Sequence, residues 1–228
     1  MIRAPVPESP LRRRTRIKFC GLVRPGDLDA AVALGVDAIG FVFYARSKRL
    51  LAVEDALALR RRLPSFVSAV GLFVDTPAAQ LETIASKVGL DVIQLHGDES
   101  PAFAARLSRR FWRAHRIGEG YELATQLRLW DDAEFHLLDS ASPGYGGSGT
   151  AFDWRVAGGF GGDRAIVAGG LDADNVAAAI HALAPFAVDT SSGIEGPEPR
   201  CKDVARMERF VAAVRAADDS QPELLPPQ

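Results

Sequence analysis

Cysteine is scarce in this chain: Cys20 and Cys201 are the only two among 228 residues. That count excludes a disulfide framework and a thiolate zinc cluster, and it makes a reducing cytoplasm the default address. Long apolar runs are missing too; none reaches the roughly 18–20 residues of a membrane span. Charge of one sign is not in excess, with 27 Lys and Arg against 29 Asp and Glu and a net charge of −2. This argues against nucleic acid or an anionic membrane as the main partner, while leaving room for a small anionic ligand held by a local positive site. No H-x-H, H-x-x-E-H or clustered-carboxylate pattern occurs, so no metal is expected. The first glycine-bearing loop, "GLVRPG", is not G-x-G-x-x-G, so a dinucleotide has no anchor here. Arg12, Arg13, Arg14 and Arg16 are not followed by an apolar stretch, so the N-terminus does not read as a secretory signal.

What is present is ordinary globular material, 47% hydrophobic and 25% charged. Prolines and polar residues mark residues 1–15 and 218–228 as disordered extensions, leaving 16–217 as one folded domain. Within it, short β-branched or aromatic runs alternate with Ala- and Leu-rich stretches. The runs are Arg16 to Phe19, Ala38 to Phe43, Ala69 to Val74, Val92 to Leu95, Phe111 to Arg116, Phe135 to Asp139, Ala165 to Gly170 and Ala187 to Gly193. Pro25, Pro77 and Pro101 open the helices after the first, third and fourth runs, where a missing N–H costs nothing. Further helices are expected at Val53 to Leu63, Tyr121 to Trp130, Asp174 to Leu183 and Asp203 to Ala217. A short helix capped by Asp153 is expected after the Gly-rich stretch "SASPGYGGSGTA". The run "AIGFVF" shows no polar alternation, as in a strand buried on both faces. About eight β-α units in roughly 200 residues predict an α/β TIM barrel, with an open Rossmann-like sheet as the alternative.

A barrel carries its chemistry where the strands end. Cys20, Tyr44 to Arg49, His96, Asp139, Gly169-Gly170 and Ser191-Ser192-Gly193 stand there. The small residues after the seventh and eighth strands offer backbone N–H groups where barrels commonly take phosphate. Cys20 would serve as a general base if its thiol is partly ionised, although a lone small cysteine is more often core filler. Asp139 could act as an acid or simply cap a helix. Arg49 suits a carboxylate by its fork geometry, or is a solvated loop residue. His96 taken alone reads as structural. Cys201 reads as incidental, and Lys18 as an inward structural lysine below the catalytic layer.

The segments "IKFCGLVRPGD", "DAIGFVFYARSKR", "DVIQLHGDE", "LLDS", "GGSGTAFDW", "AGGLDADNV" and "VDTSSGIE" followed by "KD" resemble, in order, the motifs of the phosphoribosylanthranilate isomerase family. The resemblance runs from about Arg16 to Ala217. It implies a cofactor-free Amadori rearrangement in tryptophan biosynthesis on a small phosphorylated substrate, by an enzyme that works as a monomer or homodimer. On matching positions it implies Cys20 as general base and Asp139 as general acid. It further implies Arg49 on the anthranilate carboxylate, Gly169, Gly170, Ser191 and Ser192 on the phosphate, and His96 and Asp189 lining the substrate. Cys201 stands where a glycine is more usual. The isomerase of histidine biosynthesis fits less well, since Cys20 occupies the place of its first-strand aspartate. Indole-glycerol-phosphate synthase would require a catalytic lysine and glutamate in the mouth. A barrel that binds a phosphorylated metabolite without turning it over would not need Cys20 and Asp139.

Overall fold

The computed structural model describes residues 14–141, 153–157, 160, 162–198 and 200–220. Eight parallel strands close into a barrel in sequence order: β1 (Arg16–Cys20), β2 (Ala38–Val42), β3 (Ser68–Phe73), β4 (Val92–Leu95), β5 (Phe111–Ile117), β6 (Phe135–Ser140), β7 (Gly162–Val167) and β8 (Pro185–Thr190). Around them lie α1 (Pro25–Ala33), α2 (Val53–Arg60), α3 (Ala78–Val88), α4 (Pro101–Ala104), α5 (Leu123–Leu129), α6 (Val176–Leu183) and α7 (Val204–Ser220). Two 3-10 turns, Trp154–Ala157 and Ser192–Ile194, follow β6 and β8. The TIM barrel predicted from the alternation is therefore the fold, and the open sheet is excluded by pairing of β1 with β8.

Several boundaries differ from the sequence expectation for physical reasons. β7 starts earlier and stops at Val167, because Gly169 and Gly170 take positive φ (78° and 66°) and leave the ladder. α4 is a single turn capped by Ser100, since the chain must reach β5 at Phe111. The helix expected at Asp153 is the 3-10 turn Trp154–Ala157. Most of the Gly-rich stretch after β6, and the outer parts of the two terminal extensions, lie outside the described residues.

Strand parity sorts the core. Ile17, Phe19, Ile39, Ile93, Leu138, Val167 and Val188 point outward and pack with helix residues such as Leu28, Ala85, Ile180 and Phe210. Their neighbours point into the barrel, where Ala38, Val70, Val92, Trp112, Leu137, Ile166 and Ala187 fill its lower part. Above them Cys20, Val42, Leu72 and Val74 form a smaller group. Thr15 and Asp218 sit just outside the predicted catalytic span, yet they join the barrel's two ends. The Asp218 carboxylate accepts from Thr15 N at 3.1 Å, and Arg215 donates to Thr15 O at 2.8 Å. No helix among the described residues is long and apolar enough to cross a membrane.

Candidate active site

The nine residues singled out from the sequence come together on one cavity at the C-terminal mouth of the barrel. Its outer end is open to solvent. Cys20, the last residue of β1, is buried and faces it. Asp139 reaches it from β6, and His96 from the residue after β4. His96 Nε2 lies 3.2 Å from Asp139 Oδ2, within ion-pair distance but off hydrogen-bond alignment. Gln94, two residues earlier and therefore on the same inward face, holds the other ring nitrogen: its Nε2 is 3.0 Å from His96 Nδ1. With Gln94 donating, the neutral ring carries its proton on Nε2, toward Asp139.

Arg49 stretches across the mouth from the segment after β2. Its Nε donates to Glu195 Oε1 at 2.6 Å, while its buried Nη2 has no protein partner. Gly21 makes this path open. It has φ 73°, and a Cβ there would stand 2.4 Å from Arg49 Cδ. Glu195 also takes Lys48 at 2.9 Å and lies 3.6 Å from Lys202 Nζ. Burial works to raise the Glu195 carboxyl, but bonds from Arg49 and Lys48 and the nearby Lys202 charge hold it down at about 2. Burial also lowers the Lys202 ammonium to about 8 despite Glu195.

The turn after β7 is fixed by its own side chains. Asn175 Nδ2 donates to Gly170 O at 2.8 Å, and the Asp172 carboxylate accepts from Asp174 N and Asn175 N. A Cβ on Gly169 would meet Ser140 N at 2.4 Å and Asp139 Oδ1 at 2.8 Å, so only glycine lets this turn lie against the end of β6. Ser192 opens the 3-10 turn after β8. Ser191 lines the cavity, but its hydroxyl donates to Cys20 O at 2.8 Å, and Lys202 Nζ donates to Ser191 O at 2.8 Å. What Ser191 can offer a ligand is chiefly backbone.

Two findings bear on the sequence expectation. Cys20 serves as a base only if its thiol ionises; burial pushes this thiol above its ordinary value, and Lys18, Lys202 and Arg49 oppose that push. Asp189 lines the cavity, and its Oδ1 also accepts from Lys18 Nζ at 2.8 Å. No role was read for Glu195 or Lys202, although both stand inside the quoted motifs. Their use depends on Arg49 and Ser191 being neighbours, which no spacing in the sequence conveys. Cys201 keeps away from the cavity, against Arg24 and Glu198.

Comparison with known proteins gives a consistent result. Residues 17–213 match the family described as N-(5′-phosphoribosyl)anthranilate (PRA) isomerase. An N-(5′-phosphoribosyl)anthranilate isomerase of Bordetella petrii is 47% identical over 215 residues, covering 90% of this chain and 97% of that protein. The one from Methylibium petroleiphilum is 44% identical over 205 residues, covering 90% and 96%. Among solved structures, phosphoribosyl anthranilate isomerase from Thermotoga maritima superposes with TM-score 0.82 at 35% identity, covering 89% of this chain and 99% of that one. Another structure of such an isomerase, in complex with reduced 1-(o-carboxyphenylamino)-1-deoxyribulose 5-phosphate, matches with TM-score 0.78 at 32% identity, covering 89% and 99%.

Proposed function

The chain belongs to the N-(5′-phosphoribosyl)anthranilate isomerase family, and from that premise we propose how its barrel mouth performs the reaction. The enzyme catalyses an Amadori rearrangement in tryptophan biosynthesis. N-(5′-phosphoribosyl)anthranilate becomes 1-(2-carboxyphenylamino)-1-deoxyribulose 5-phosphate.

Asp139 acts as the general acid. It gives its proton to the furanose ring oxygen, the C1–O bond breaks, and the nitrogen lone pair forms an iminium with C1. Cys20 acts as the general base. As the thiolate, its own proton given up to solvent, it takes the proton from C2, whose acidity the adjacent iminium raises; the C–H electrons become the C1=C2 bond and the C1=N electrons return to nitrogen, giving an enolamine. Ketonisation then places a proton on C1 and releases the one on the C2 hydroxyl. His96 orients Asp139. Arg49 Nη2 holds the anthranilate carboxylate, with Glu195 fixing the guanidinium plane. Backbone groups of Gly169, Gly170, Ser191 and Ser192 take the phosphate. Asp189 belongs to the floor beneath the substrate.

The observation that carries this reading is one placement. An inward thiol at the end of β1 and an inward carboxyl at the end of β6 share a cavity with an unpartnered buried guanidinium nitrogen. A metabolite-binding barrel without turnover would need the guanidinium but not the thiol and carboxyl. Every group assigned lies within residues 16–217 of one chain, which suits a monomer or a homodimer in which each copy carries its own site. A free catalytic thiol suits a reducing cytoplasm. The test is direct. Purified protein is given freshly made substrate, and the loss of anthranilate-type fluorescence is followed. Wild type should turn over, and Cys20→Ala should lose kcat by roughly 100-fold or more with KM little changed. Full activity in Cys20→Ala would remove the assigned base.

A further inference from the structure

We propose that Lys18, pinned by Asp189, is a positioning residue that keeps the sulfur of Cys20 anionic at the moment it accepts the C2 proton. The proposal rests on the acid–base reading above and adds the source of the base's charge.

Strand geometry puts the three groups together. Lys18 and Cys20 are two residues apart on β1 and so share its inward face. In the closed barrel Lys18 stands opposite Asp189 of β8, while Cys20 stands opposite Gly40 of β2. Lys18 Nζ donates to Asp189 Oδ1 at 2.8 Å, and both side chains are almost fully buried. The side of the thiol is left open by Gly40: a Cβ there would lie 2.7 Å from Cys20 Sγ and 3.2 Å from Lys18 Nζ. The ammonium and the sulfur therefore border the same hollow.

A buried ion pair is a costly way to plug a barrel, because desolvation consumes most of the Coulomb gain. The layer below does that job with Ala38, Val70, Leu137 and Ile166. The pair gains a purpose once the thiol ionises. At rest Lys18 and Asp189 cancel each other, and the substrate site carries no free charge from them. When Cys20 loses its proton, the nearby ammonium offsets the new anion in a site sheltered from water, where such an interaction is strong. Asp189 contributes by holding Lys18 in place and charged.

The other charged groups facing Cys20 are Lys202, from the segment before α7, and Arg49, from the segment after β2. Both favour the anion, but they are committed to Ser191 and Glu195. Asp189 opposes it. Burial is the largest influence and raises the thiol; Lys18 is the strongest influence against it. Burial would lower the Lys18 ammonium, yet Asp189 and Cys20 together carry it above its ordinary value, so it remains a cation.

The experiment uses the full chain with Cys201→Ser, which leaves Cys20 as the single thiol. Three variants are compared: Lys18→Arg, Lys18→Met, and Lys18→Met with Asp189→Asn, the last avoiding an orphaned carboxylate. For each, kcat, KM and the pH dependence of iodoacetamide modification of Cys20 are measured, with circular dichroism to verify folding. We expect the double variant to fold and to lose kcat roughly 10- to 100-fold. Its alkylation profile should move up by about one pH unit. Lys18→Arg should retain most of both. An unchanged alkylation profile and kcat in the folded double variant would reduce the pair to a structural plug and overturn the proposal. Failure of the catalytic reading itself looks different: the parent protein would be inactive, or Cys20→Ala would remain active.

Discussion

Arg49 shows how a single residue divides its bonding capacity. Its Nε is committed to Glu195 at 2.6 Å, and its Nη2 is left over, buried and facing the mouth. A guanidinium tethered on one side has little freedom to lose when a carboxylate arrives on the other. Arg49→Ala should therefore raise KM, at a cost of about 1.5–3 kcal/mol for the lost charged bond, while kcat at saturation changes little. An unchanged KM would count against the clamp. Gly21 governs the same side chain. Gly21→Ala would put a methyl 2.4 Å from Arg49 Cδ on a backbone at φ 73°. Strain of about 1–3 kcal/mol should appear as a lower Tm together with a higher KM. At this scale the sequence was informative wherever a residue type and a strand end coincided, as for Cys20, Asp139 and the Gly169-Gly170 pair. It was silent on Glu195 and Lys202, whose partners lie 146 and 11 residues away in the chain. It placed Lys18 inward and low, but the link to Asp189 spans 171 residues and exists only because the barrel closes.

Elements were legible where one physical signal dominated. β2 is a continuous apolar run, and α1 opens with Pro25. Ends were harder to place, because positive-φ glycines after β7 and the short span between β4 and β5 override local propensity. One contact between elements carries a pH signature. On the outward faces of β5 and β6, His115 Nε2 lies 3.0 Å from His136 Nδ1, and His115 Nδ1 lies 2.8 Å from Tyr121 OH. Burial, with His136 and Arg113 beside it, lowers His115 to about 3; burial, with Arg164 nearby, lowers His136 to about 4. Both rings are thus neutral in the folded protein at neutral pH. The unfolded chain binds their protons first, near pH 6.5. The stability they contribute is whole above that value and is lost as pH falls from about 6.5 toward 3–4. Thermal melts should show Tm falling through this window, with a shallower fall in His115→Gln. Equal slopes would mean that other groups carry the acid sensitivity.

For the whole molecule, closure is the governing fact. β1 pairs with both β2 and β8, so the strand holding Cys20 has its edges covered on each side. The alternation of runs in the sequence foretold eight units and a single body, yet it could not show how the ring is fastened. The fastening includes Thr15 and Asp218, which proline content had suggested assigning to the extensions. A chain cut to 16–217 should lose about 1–3 kcal/mol with those hydrogen bonds, or roughly 3–10 °C in Tm. One spanning 14–220 should match the full chain in Tm and kcat. Similar melting of both would show the clasp to be dispensable. The clasp also means that the beginning and the end of the barrel meet: Asp218 reaches Thr15 N across 203 positions of sequence at 3.1 Å. In a ring of like units joined end to end, no unit is first except by the accident of where the chain opens. The same barrel is therefore a natural substrate for circular permutation, with a short linker across the clasp and new ends in a loop on the face away from the mouth.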